Sequence, residues 1–133
     1  MATVRLISDE EAGDAVKAVY ADIRATRGTD FINNFWRALA CDPATLKRTW
    51  EEVKAVMGAP GALDPLTREM IYIAVSAANA CSYCVHSHTA AARAKGMTDA
   101  QLGELVSIVA LAGKTNHLAN ALQVPVDPAF EVK

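Results

Sequence analysis

A chain of 133 residues, 52% hydrophobic and 21% charged, is long enough to bury a core without a metal or disulfide staple, and it reads as a single domain over 1–133. Thirteen basic and 15 acidic side chains leave a net charge of −2; with no basic stripe or arm, the expectation is no nucleic acid partner. The start, MATVRLISDEEAG, lacks the apolar stretch of a secretory signal, and MIYIAVSAANAC is too short to cross a bilayer, so no membrane, a cytoplasmic location and reduced cysteines are expected.

The predicted elements follow from helix punctuation. Ser8 with Glu11 fits a capping box, predicting a helix from there to about Arg27, ended by Gly28. FINNFWRAL, Phe31 to Leu39, predicts a short buried helix, and Trp50 a cover for a helix seam. Cys41, with no thiol or histidine near it in sequence, is expected to be buried as a small apolar residue. Asp42–Pro43 sets a cap before a proline at the first helical position, opening a helix to Met57 that stops in GAPGALD. Asp64–Pro65 repeats the signal and opens PLTREMIYIAVSAAN. MIYIAV alone has β propensity, but its capped start and alanine-rich continuation favour helix. Lys95–Gly96 reads as a helix end, and Thr98 with Gln101 opens a last long helix, followed by the extended or loose tail VPVDPAFEVK. The fold class is all-α, with five or more helices.

Chemistry concentrates between Asn79 and Lys95. On a helix turning by about 100° per residue, Cys81, Cys84 and His88 share one face, while Tyr83 and His86 leave it. The pair stands near a helix start, where free amides and the helix dipole stabilise a thiolate; that favours Cys81. Pairing with His88, one turn on, favours Cys84. If the preceding helix folds back near Asn79, Glu69 and His88 lie side by side and the carboxylate can orient the imidazole. If the helix ran straight on, Glu69 would be about 18 Å from Cys81 along the axis. Two further readings stay open. Zinc could take Cys81, Cys84 and His88 plus water, with His117 as a distant spare ligand; or the chain is a structural, oligomeric helical protein. His86 and His117 read by themselves as surface or packing histidines.

Glu69, then Cys81-x-x-Cys84, then His88, set in LTREMIYIAVSAANACSYCVHSHTAAARAKG, resembles the alkylhydroperoxidase D-like (AhpD-like) branch of the carboxymuconolactone decarboxylase family. The resemblance is firm from about Leu66 to Leu111, within a motif-bearing core at about 64–122. It implies an AhpD-like helical domain with the redox motif near the N-terminus of a central helix, and homo-oligomers, trimers or hexamers. It implies a thiol-dependent peroxidase or disulfide oxidoreductase in which Cys84 attacks peroxide, Cys81 resolves, and His88 and Glu69 relay protons. The electron donor would be a thiol, a lipoyl-bearing protein or a thioredoxin-like one. No cofactor and no resident metal are implied. Where well-studied members carry a further histidine just before the second cysteine, this chain has Tyr83, a possible relay hydroxyl. Decarboxylase members lack the dithiol, so a non-redox conversion is the minor alternative.

Overall fold

The first helix shows tertiary contacts overriding a local signal. In the computed structural model, which describes residues 1–131, Ser8 and Glu11 do exchange both capping-box hydrogen bonds, at 3.1 and 3.4 Å. They close only a turn, and α1 begins later, spanning Asp14–Arg27 with Gly13 as its extended N-cap. The reason lies in what anchors the lead-in segment. Asp9 pairs with Arg24 at 2.6 Å and Arg37 at 2.8 Å, and the Tyr20 hydroxyl donates to the Ile7 carbonyl at 2.9 Å. A helix running from Ser8 would swing those groups away from their partners. Gly28 ends α1 in the left-handed region, φ 64°, as a C-cap glycine should.

Helix α2 (Asn34–Leu39) is short and buries Trp36, while Phe31 and Phe35 of the same stretch are exposed. Asp42 caps α3 (Pro43–Val53) with Pro43 in its first turn, and a single π turn, Lys54–Gly58, carries the helical run on. Trp50 is buried at the α1–α3 seam beside Ile23 and Leu46 and donates its indole N–H to Asp22 at 2.6 Å. Cys41 corrects the sequence reading: it is exposed, because it lies in the turn between α2 and α3, outside either helix's apolar stripe. These elements make one compact unit, Met1–Pro60.

The second unit, from Gly61 onward, follows the sequence closely. Asp64 caps α4 (Pro65–Ala78) by accepting from the Thr67 N–H. Helix α5 covers Ser82–Ala94. Thr98 and Gln101 form a full capping box at the head of α6 (Asp99–Ala121). The tail is extended apart from one 3₁₀ turn, Pro128–Phe130; Val132 and Lys133 lie outside the described residues. Ile73, Ala92, Met97 and Leu105 form the core of this unit. The described residues are helix and connection throughout, with no strand: the fold is all-α. None of these helices is long and apolar enough to cross a membrane.

Candidate active site

The site is built on the reversal from α4 to α5. Helix α4 ends at Asn79, and the next two residues complete a Schellman turn: the Ala80 N–H donates to the Ala77 carbonyl at 3.2 Å and the Cys81 N–H to the Ser76 carbonyl at 2.9 Å. Glycine normally holds the left-handed position of such a turn. Here it is Ala80, at φ 54°, a conformation that costs an L-residue about 1–2 kcal/mol. The turn delivers Cys81 directly to the N-cap of α5, where its sulfur accepts from the Cys84 backbone N–H at 3.4 Å.

That placement divides the two thiols electrically. Both are free, with Sγ atoms 2.6 Å apart. Cys81 is held below the ordinary thiol range, first by the hydrogen bond from the Cys84 thiol and then by the Cys84 N–H. Cys84 is pushed up to about 11, chiefly by its hydrogen bond to Cys81, then by burial and the charge on Cys81. Of the two, Cys81 therefore gives up its proton the more readily, and Cys84 holds its own the more firmly. This order agrees with the N-cap argument and not with the argument from pairing with His88, which together with the family resemblance puts Cys84 first.

His88 lies one turn beyond Cys84, and the fold-back brings Glu69 to it. The His88 Nδ1–H donates to Glu69 Oε2 at 2.7 Å, which leaves Nε2 of a neutral ring as its basic nitrogen. Glu69 is buried and accepts a second bond, from Lys95 Nζ to Oε1 at 3.0 Å. Burial alone would raise the carboxyl; His88 and then Lys95 outweigh it and hold Glu69 below the usual carboxylate range. It is therefore an anion at neutral pH.

Two participants were missed in the sequence. Tyr72, one turn after Glu69 on α4, stacks on the His88 ring with centroids 3.6 Å apart and planes 20° from parallel. Its hydroxyl is raised by burial and then by the charges of Cys84, Cys81 and Glu69, so it remains protonated beside the dithiol. Lys95 reads in the sequence only as a helix-end cation. Both had a faint signal: Tyr72 is three residues from Glu69 and Lys95 seven from His88, spacings that keep a helical face. Tyr83 is exposed. His86, about 200° around α5 from His88, lines an apolar groove of about 490 Å³ with Ile73, Val85, Leu102 and Val106. His117 is exposed and donates from Nδ1 to the Gly113 carbonyl of its own helix at 2.6 Å. Among the described residues no three His, Cys, Asp or Glu side chains converge as a metal site; the Nδ1 of His88 is committed to Glu69.

Residues 43–127 match the carboxymuconolactone decarboxylase family. The chain belongs to that family. Within it, this member stands in the AhpD-like branch: it is 67% identical to the alkylhydroperoxidase AhpD core from Rhodospirillum rubrum, whose crystal structure it matches with a TM-score of 0.96 over 100% of this chain and 99% of that one. Curated relatives are more distant. An (R)-2-haloacid dehalogenase from Pseudomonas putida is 28% identical over 110 residues, 80% of this chain and 35% of that protein. The uncharacterized protein 4 in the cox locus of Paracoccus denitrificans is 31% identical over 67 residues, 50% of this chain and 60% of that protein. This family member thus spans only part of the length of either curated relative.

Proposed function

We propose that the protein is a thiol-dependent peroxidase of the alkylhydroperoxidase type, working through the Cys81/Cys84 dithiol. The observation that carries the reading is the pair itself: two free thiols in contact at a helix N-cap, one turn from an imidazole held by a buried carboxylate. The likeness to the Rhodospirillum rubrum alkylhydroperoxidase core supports it.

In this reading Cys84 is the attacking residue, and its proton must leave first. His88 Nε2 accepts it, with the imidazolium stabilised by Glu69 through Nδ1–H. The Cys84 thiolate then attacks the terminal peroxide oxygen. The O–O bond breaks, Cys84 becomes a sulfenic acid, and the departing alkoxide takes the proton from His88 to leave as alcohol. The Cys81 thiolate attacks the sulfenic sulfur, forming the disulfide and releasing hydroxide, which is protonated to water. Two electrons have passed from the dithiol to peroxide, and an external thiol, lipoyl or thioredoxin-like dithiol must restore them. The tyrosine hydroxyl of this reading is that of Tyr72, whose ring lies on His88, ahead of the exposed Tyr83. The reading includes a homo-oligomer, trimer or hexamer, supported by α6, which buries only Leu105 and leaves Val106, Ile108, Leu111 and Leu118 exposed.

The test uses reduced protein in a Cys41→Ser background, so that the exposed third thiol does not count. Cumene hydroperoxide should consume both motif thiols together. In Cys81→Ser, dimedone should tag Cys84 as the sulfenic acid; in Cys84→Ser, no tag should form. Retention of both thiols at millimolar peroxide refutes the activity. A tag on Cys81 in Cys84→Ser, with none on Cys84 in Cys81→Ser, reverses the two roles.

A further inference from the structure

We propose that Lys95 is a positioning residue for the site: its ammonium holds one oxygen of Glu69 so that the other stays aimed at His88. The proposal rests on reading Glu69 and His88 as the proton-handling pair. A carboxylate on a flexible side chain can present either oxygen to an imidazole, and it can rotate out of reach between encounters. Here both oxygens are engaged, Oε1 by Lys95 Nζ at 3.0 Å and Oε2 by His88 Nδ1 at 2.7 Å. Two donors on opposite oxygens leave the carboxylate one orientation.

The backbone around Lys95 is fixed as firmly as the contact. Lys95 is the C-cap of α5. A Schellman turn follows it, with the Gly96 N–H on the Arg93 carbonyl at 2.9 Å and the Met97 N–H on the Ala92 carbonyl at 3.0 Å. Gly96 takes φ 94°, which a side chain would resist, and Met97 is buried in the core against Ala92. Seven residues from His88, Lys95 returns to the same face of α5 and reaches Glu69 from the solvent edge: its side chain is 39% exposed against 9% for Glu69. Substitution there leaves the core untouched, so variants should fold.

The charge of Lys95 has a second effect. Glu69 is buried among His88 and Lys95 from α5 and its cap, with Tyr72 beside it on α4 and the two thiols near Tyr72; α6, which also packs on α4, brings no ion pair to it among the described residues. Burial acts to raise this carboxyl, and His88 and Lys95 oppose it. Without Lys95 the carboxyl takes up a proton at higher pH, and a protonated Glu69 can no longer stabilise the imidazolium.

The experiment follows the Glu69 side-chain carboxyl by ¹³C NMR from pH 3 to 8 in the intact reduced protein, comparing wild type, Lys95→Met and Lys95→Arg. Thermal unfolding and cumene hydroperoxide-driven thiol loss are measured alongside. In Lys95→Met the Glu69 midpoint should rise by about half a pH unit or more, and thiol loss should slow by roughly 10-fold, as when an orienting partner of a reacting group is removed. Lys95→Arg, which keeps charge and donor, should restore the midpoint and most of the rate. An unmoved midpoint in Lys95→Met overturns the proposal, as does a loss of unfolding temperature in both variants with no change in the titration. The carboxyl titration needs no turnover, so inert wild-type thiols would sink the peroxidase reading while leaving the role of Lys95 measurable.

Discussion

Replacing Cys81 by serine should make Cys84 more acidic than it is in the wild type, and so more readily alkylated. The Cys84 thiol stands at about 11 against an ordinary 9.0, and the largest cause is its hydrogen bond to Cys81, followed by burial and the Cys81 charge. Serine removes the anion and the charge-assisted bond but can still cap α5, since its hydroxyl accepts from the Cys84 N–H as well as sulfur does. Burial is then the main influence left, so the Cys84 midpoint should fall most of the way back towards 9.0. At pH 8 the thiolate fraction of a group at 11 is about one in a thousand, and at 9 about one in ten. Iodoacetamide alkylation of Cys84, followed by peptide mass spectrometry across pH 6–11 in a Cys41→Ser background, should therefore accelerate about 10- to 100-fold at pH 8. The wild type should be alkylated first on Cys81, which the Cys84 thiol and N–H hold below the ordinary range. A Cys84 midpoint still near 11 in Cys81→Ser would refute the reasoning, because burial and not Cys81 would then be setting it.

Two other outcomes follow from the same geometry. Glu69 has its folded pKa lowered by His88 and Lys95 against the opposing effect of burial, so it contributes stability that is present above the unfolded carboxylate value and lost as pH falls through the folded one. Glu69→Gln should cost about 1–2 kcal/mol at pH 7 by urea unfolding, the gap to wild type closing below about pH 4; a gap that stays constant down to pH 3 would mean that the charge is not what matters. For the proposed assembly, sedimentation equilibrium should give a mass several times the 14.2 kDa chain, reduced by Leu111→Glu on the exposed face of α6; a wild-type monomer at micromolar concentration would remove the oligomer from the reading.

What the sequence determined by itself was everything written in short-range chemistry. The caps at Asp42, Asp64 and Thr98 and the stop at Gly28 act through bonds within a turn, and each sits where it was expected. The place of Cys81 at the N-cap is a property of helix ends, and the one-turn separation of Cys84 and His88 along α5 a property of helical spacing. Even the meeting of Glu69 with His88 was legible once a fold-back near Asn79 was assumed. The tertiary structure decided what local rules leave free. At Ser8 the capping box formed without a helix, because Asp9 and Ile7 are held by Arg24, Arg37 and Tyr20, far along the chain. Cys41 stayed in solvent because its turn, not its composition, sets its burial. Tyr72 and Lys95 carry no motif. They became neighbours of His88 and Glu69 only when α4 and α5 packed face to face: spacing along each helix sets the face they share, and where the two helices meet in space decides what they touch.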